Sequence, residues 1–297
     1  MSWRHVMITK PGKLSIRHNQ LVVKQEVEVT IPLQDISTMT IESQAIVLTQ
    51  NVLSACAEYR IAVIICNDKQ LPNGIFTSYH QHSRQLTVLE TQLNLSKPLK
   101  KRIWQKIVKQ KIENQARCLE FLKVEGEAKL RGLARQVDSG DTTNREGYAA
   151  KLYFPLIFGS DFTRRSNHPI NRILNYGYAI MRGNVVRALV SYGFTPCLGI
   201  HHDSQTNSFN LADDFMEVLR PLVDLHAANL DPEVWNVNTR ASLVNLANME
   251  LKMDQATYSA SAAVDEMIKS FVAVCRQNDL SYLKLPQILP LTLHEAV

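Results

Sequence analysis

Residues 97–111 read KPLKKRIWQKIVKQK, and the chain runs on at 115–137 with QARCLEFLKVEGEAKLRGLARQV. Apolar residues recur there every three to four positions, and glycine and proline are sparse, which is the pattern of long amphipathic helices. Upstream the period is different. KLSIRHNQLVVKQ at 13–25 holds two short apolar runs about a His18-Asn19 turn. Val27, Val29 and Ile31, then Ile36, Met39 and Ile41, alternate or nearly so, and Pro11-Gly12 adds a turn signal. Residues 44–59 read helically through Ala45, Leu48, Val52 and Ala55, and IAVIIC at 61–66 reads as a short buried strand closed by the NDKQLPNG turn cluster. The expectation is an α+β chain: an N-terminal antiparallel β domain, sandwich-like, over 1–77, a linker over 78–92, and a larger all-α domain over 93–297. Pro286 and Pro290 oppose a helix near the end, so an extended, docked tail is expected from about residue 281.

The 297 residues, 45% of them hydrophobic, suffice for a sizeable core. No run of 18 apolar residues and no secretory leader is visible, so a membrane location is not expected and the cytoplasm is. Five scattered cysteines without a CxxC argue against a disulfide framework or a structural zinc site; they are expected as buried thiols. The net charge of +5 is modest, but it is concentrated in 97–111, where seven Lys and Arg occur with no acid. Arg102, Lys106 and Lys109 fall on one helical stripe, either a solvated face or a surface for phosphates.

Two segments hold residue types able to carry chemistry. In NREGYAAKLYFP at 144–155, Glu146 stands three positions after Thr143, the capping-box spacing, so a helix-capping role explains it alone. In LGIHHDSQTNSFNLADDFMEVLRP at 198–221, a helix beginning near Asn210 would bury Leu211, Phe215, Val218, Leu222 and Leu225. Asp214 and Glu217 border that stripe, where two like charges repel unless a cation lies between them. Asp213 needs only the helix N-terminus. His201 and His202 end the preceding apolar segment, and imidazole plus carboxylate with open positions suits Mn²⁺ or Mg²⁺ better than zinc.

These motifs resemble the CRISPR-associated integrase and endonuclease family, the universal catalytic protein of spacer acquisition, in its type II lineage. The resemblance lies in NREGYAAKLYF, in NRILNYGYAIMRGNV at 171–185, and in the 198–221 stretch, where His202 precedes Glu217 by 15 residues just ahead of Arg220-Pro221. It covers nearly the whole chain, and it implies a β domain for dimerisation followed by an α-helical catalytic domain. By position it implies that Glu146, His202 and Glu217 are the catalytic metal ligands for Mn²⁺ or Mg²⁺, with Asp214 and His201 as neighbours of the metal. The implied activity is metal-dependent DNA cleavage and the insertion of short DNA fragments into the CRISPR array by transesterification with a DNA 3′-hydroxyl.

The implied partners are double-stranded DNA (protospacer and CRISPR repeat), a second copy in a homodimer, and the small second protein of the acquisition complex, which bridges two dimers into a heterohexamer. The type II effector nuclease and an accessory acquisition protein are further candidate partners. Lys100, Lys101, Arg102, Lys106, Lys109, Arg164 and Arg165 then become candidate DNA contacts. Asn171 and Tyr178 lie in the second motif and are equally well explained by a helix interior. The alternatives are a non-catalytic DNA-binding scaffold of the same fold, whose acids are caps and dipole partners, and a metal phosphoesterase for small molecules.

Overall fold

A computed structural model describes residues 4–79 and 82–294. The chain divides into two units, Met1–Ser83 and Arg84–Val297. Residues 1–3, which open the segment read for a leader, residues 80 and 81 of the expected linker, and residues 295–297 of the expected tail lie outside the described residues.

The first unit opens with β1 (Arg4–Ile8) and a hairpin of β2 (Gly12–Arg17) and β3 (Gln20–Lys24). Its turn is the expected one: His18 and Asn19 both have positive φ, 51° and 56°, which matches the twist of the flanking strands. Next come β4 (Glu28–Pro32), β5 (Ile36–Ile41), β6 (Ile46–Leu48), α1 (Gln50–Glu58), β7 (Ala62–Cys66) and β8 (Pro72–Phe76). Two four-stranded sheets result, ordered β1-β5-β7-β8 and β4-β3-β2-β6. Ile8, Ile36, Met39 and Val63 of the first sheet share a core with Leu14, Leu21 and Val23 of the second, and with Val52 and Cys56 of α1. The sandwich is therefore present, but its strands are not all antiparallel. β1 with β5, β5 with β7, and β2 with β6 pair in parallel. Alternation along a strand reports which faces are covered, not the direction of its neighbours, and here intervening elements provide the crossovers that parallel pairs require. All six residues of β5 are buried, as in a strand covered on both faces. The helix expected over 44–59 starts only at Gln50 because residues 46–48 extend the second sheet.

In the second unit α2 (Gln85–Leu93) occupies much of the expected linker. Its buried Gln92 explains why that stretch is ordered: the amide donates to the carbonyls of Thr195 and Leu198 at 2.9 Å each and accepts from the Thr195 N–H at 3.0 Å. α3 (Lys97–Leu122) begins at Ser96, whose hydroxyl accepts from the Leu99 N–H, with Pro98 in its first turn. It buries Leu99, Ile103, Trp104, Ile107, Val108 and Ile112 against its neighbours. α4 (Glu127–Arg135), α5 (Arg145–Phe158), α6 (Pro169–Ser191), α7 (Asn210–Met216), α8 (Arg220–Ala227) and α9 (Val237–Val244) follow. Helix α6 is capped by His168, not by Ser166 or Asn167 as its sequence suggests. The His168 Nδ1 accepts from the Ile170 N–H, while the Ser166 hydroxyl is turned to the Thr163 carbonyl.

The unit is not all-α. β9 (Met249–Met253), β10 (Ala256–Ser259) and, beyond α10 (Ala260–Gln277), β11 (Gln287–Leu293) form a sheet ordered β10-β9-β11. The register slips between Ile288 and Leu293, where Pro290 has no N–H to donate. The residues leading into β11 are held from α3. Lys106 Nζ donates to the Leu283 carbonyl at 2.5 Å, and Asn114 Nδ2 to the Pro286 carbonyl at 3.0 Å and the Val218 carbonyl at 2.8 Å. Among the described residues no helix is long and apolar enough to cross a membrane. Three cysteines are buried and Cys275 is half-buried, but Cys197 is exposed, contrary to expectation, and lines a cleft with Gln92 and His202.

Candidate active site

Four elements of the second unit build the site. At the start of α5, Asn144 adopts a left-handed conformation, φ 51°, and its Oδ1 accepts from the Gly147 N–H at 3.1 Å. The Asp141 carboxylate accepts from the N–H groups of Arg145 and Glu146 at 2.8 and 3.0 Å. Those partners take the first-turn donors, so the capping box does not form and the Glu146 side chain turns elsewhere. It meets Lys111 of α3, whose Nζ lies 2.5 Å from Glu146 Oε1 and 2.5 Å from Glu217 Oε2.

Glu217 opens a 3-10 turn, Glu217–Leu219, between α7 and α8. The single helix expected here is interrupted at this point, because Pro221 in the first turn of α8 lacks the N–H that would continue the ladder. Leu211, Phe215, Val218, Leu222 and Leu225 are buried as the stripe requires, and Asp214 and Glu217 go in beside them, 0% and 4% exposed. Each acid has its own answer to burial. Glu217 Oε1 also faces Arg220 Nε at 2.9 Å. Asp214 accepts from the N–H groups of Ile200, His201 and His202 at 2.6, 3.1 and 3.1 Å. Asp213 points the other way, to Asn207 at 2.7 Å and Arg182 at 3.6 Å.

The Asp214 carboxylate also holds His202, Oδ1 to Nδ1 at 2.8 Å, which leaves Nε2 as the ring atom for another partner. His201 does not turn toward the carboxylates. It stacks flat on Trp104 at 4.1 Å between ring centroids, and the same indole meets His202 edge-on at 5.5 Å. Gly199 is needed where the loop crosses α7, since a Cβ there would come within 2.1 Å of the His202 carbonyl.

Charge binds these groups together. Burial alone would raise the Glu217 carboxyl, but the charges of Arg220 and Lys111 outweigh it and hold it at about 2. Burial works against the Lys111 ammonium, and Glu217 and Glu146 more than reverse that, so its pKa lies above the usual lysine value. The hydrogen bond that the His202 ring donates to Asp214 raises the imidazole pKa, with smaller contributions from the Glu217 and Glu146 charges.

Among the described residues no three His, Cys, Asp or Glu side chains close around one point. What the structure does bring together is Glu146 and Glu217, about a single ammonium. Lys111 is a cation standing between two carboxylates, and the carboxylate-plus-imidazole donor set nearby fits a hard divalent ion such as Mn²⁺ or Mg²⁺. Asp214, by contrast, is an anchor for the histidine loop.

The predicted DNA contacts scatter. Lys101, Arg102 and Arg165 are exposed and Lys109 is half-buried. Lys100 lines a cleft of about 380 Å³ with His202, Asn207, Cys197 and Gln92. Lys106 leaves the stripe: its ammonium is bound to the Leu283 carbonyl, and burial lowers its pKa. Arg164 is tied to Asn171 and, at 2.8 Å, to Asn175. Sequence reasoning missed Lys111 as anything but one of seven basic residues, and it missed Arg220 as the partner of Glu217. The signal for Lys111 is its phase, four after Ile107 in the apolar stripe of α3.

The family model described as CRISPR associated protein Cas1 matches residues 6–232. The chain belongs to the Cas1 family. A CRISPR-associated endonuclease Cas1 of Neisseria meningitidis serogroup C (strain 8013) is 43% identical over 298 residues, covering 98% of each chain. Another, from Francisella tularensis subsp. novicida (strain U112), is 23% identical over 246 residues, 74% of this chain and 76% of that one. Among solved structures, a casposase bound to integration product is similar at a TM-score of 0.74 and 16% identity, covering 94% of this chain and 92% of that one. A Cas1 protein from Thermotoga maritima gives 0.71 at 15% identity, covering 92% and 97%. A chain of a Cas6-RT-Cas1–Cas2 complex gives 0.72 at 18% identity, with 97% of this chain and 36% of that one covered. At those identities the likeness of the structures is one of fold.

Proposed function

We propose that this member of the Cas1 family is the DNA endonuclease and integrase of CRISPR adaptation, joining the 3′ ends of short DNA fragments to the borders of a repeat. In that reaction a DNA 3′-hydroxyl attacks a phosphodiester; a new P–O bond forms, the old one breaks, and the displaced strand leaves with its own 3′-hydroxyl. The observation that carries the reading is the Lys111 ammonium bridging Glu146 and Glu217, two acids 71 positions apart whose common need is a cation. Glu146, Glu217 and the Nε2 of His202 would hold the divalent ion. When bound, that ion supplies charge neutralisation on the non-bridging oxygens and lowers the pKa of the attacking hydroxyl. Arg220 keeps Glu217 ionised and fixes its second oxygen, and Asp214 sets the tautomer and direction of His202. Duplex DNA, a second copy of the chain and the small Cas2-type protein are the partners this reading requires, and the cytoplasm is where they meet.

A scaffold reading is favoured by one observation: both glutamates are already neutralised from within the chain. Manganese-dependent strand joining on a repeat-bearing plasmid separates the two. Loss of joining in His202→Ala and Glu146→Ala, with circular dichroism unchanged, is the expected outcome. Joining at the unaltered rate in both variants sinks the catalytic reading. Asp214→Asn keeps the shape but weakens the hold on His202, and roughly a 10–100-fold drop in manganese affinity or activity is expected, read by titration calorimetry and by rate.

A further inference from the structure

Lys111 and Glu217 also line a second cavity, of about 150 Å³, together with Gln115, Arg164, Tyr178 and Arg220. It is too small for a nucleobase with its sugar, since pockets for such ligands start at about 300 Å³. A phosphate group fits.

The polar groups around it are set for an anion. Lys111 and Arg220 are each matched to a carboxylate, whereas Arg164 makes no ion pair among the described residues. Arg164 is nonetheless held rigidly. Two neutral acceptors, the amide oxygens of Asn171 and Asn175, orient its fork, and its guanidinium carbon lies 5.1 Å from the centre of the Tyr178 ring. Asn171 is itself fixed, donating to the Thr163 and Ser166 carbonyls at 2.8 and 2.9 Å. The Arg220 guanidinium lies 4.6 Å from the same ring. The Tyr178 hydroxyl donates to the buried Asp224, the cavity's other carboxylate, which also feels the charges of Arg220 and Arg164. Gln115 is 1% exposed and its Oε1 has no hydrogen-bond partner. A half-turn of its amide presents the NH₂ group instead, a neutral donor for an oxyanion.

We propose that this cavity receives one backbone phosphate of the bound DNA, next to the phosphate that reacts, with Arg164 as its principal donor and Gln115 as its neutral partner. The proposal rests on the strand-joining reading, because a strand laid across Glu217 passes the mouth of a cavity that shares Glu217 and Lys111 with the site. It also accounts for the NRILNYGY segment, since Asn171, Asn175 and Tyr178, on one face of α6, build the arginine's seat.

The test uses the full-length protein without divalent metal, and duplexes carrying a repeat border with single methylphosphonate substitutions at the phosphates flanking the junction. Arg164→Gln is expected to weaken binding of the unmodified duplex about tenfold. At one flanking position the neutral phosphate costs the unaltered protein a similar factor and costs Arg164→Gln nothing further, the mark of a coupled pair. Equal penalties in both proteins at every position overturn the proposal, as does unchanged binding by Arg164→Gln. Inorganic phosphate as competitor provides the second arm, expected to displace DNA from the unaltered protein at lower concentration than from the variant. If Arg164→Gln misfolds, Arg164→Lys keeps the charge without the fork and takes its place in the same cycle. Absence of strand joining by the unaltered protein with manganese overturns the catalytic reading, while this binding cycle, run without turnover, decides the phosphate cavity separately.

Discussion

Replacing Lys111 by methionine is expected to destabilise the metal-free protein by about 3–5 kcal/mol, because it leaves the largely buried carboxylates of Glu146 and Glu217 without the cation between them. Under the proposed function, the same change removes the group that would compete with a divalent ion for both acids at once. Manganese is therefore expected to raise the unfolding midpoint of Lys111→Met more than that of the unaltered protein, since an ion that binds only the folded state stabilises it in proportion to its affinity. Thermal melts with and without manganese read both effects. Equal midpoint shifts in the two proteins would show that Lys111 does not stand where the ion goes.

The second large effect is in acid. The Glu217 carboxyl is held at about 2, against 4.5 for an ordinary glutamate. A depressed carboxyl contributes stability that is present above its unfolded value and is lost as the pH falls toward its folded one. The window is thus from about pH 4.5 down to about 2, and the contribution at stake is about 3 kcal/mol. Denaturant unfolding of the unaltered protein and of Glu217→Gln, from pH 7 downward, isolates it, because the other acids are common to both. Their stability difference is expected to hold steady to about pH 5 and then to shrink toward acid. A constant difference down to about pH 3 would mean that Arg220 and Lys111 do not carry the glutamate. His202 has the opposite sense: its raised pKa adds stability that is full below the ordinary histidine value and fades as the pH rises through the folded one. The two effects occupy different parts of the pH scale.

How far the chain could be read in advance depended on the kind of information each element carries. The change of period near Tyr79 put the first eight strands ahead of the long helices, because burial on one face writes itself into spacing, but the three strands between 249 and 293 escaped it. The direction of β1 against β5 was not legible, because parallel and antiparallel neighbours cover a strand's faces alike. Glu146 fits a cap by spacing, and only Asp141 and Asn144 reveal, by taking the first-turn donors themselves, that its side chain is available for something else. Pro221 could have announced the break in the acidic helix, since a proline in the interior of a helix is costly. Lys111 was hidden among basic neighbours whose charge drew attention away from its phase. The Glu146, His202 and Glu217 assignment came from resemblance; the structure sets Glu146 and Glu217 at Lys111 and His202 at Trp104 of the same helix, without closing the three around one point among the described residues.

Trp104, Lys111, Asn114 and Gln115 all leave the same helix, and each meets a different piece of the site: the histidine loop, the paired acids, the Val218 turn with the approach to β11, and the second cavity. One residue added to or removed from that helix turns everything beyond it by about 100°. A single insertion near Lys106 would leave Trp104 under the histidines while rotating the other three away together. The helix sets a phase as well as a position, so it accepts substitution at its exposed positions far more readily than any change in its length, whereas the loop at 203–209 has no such phase to keep.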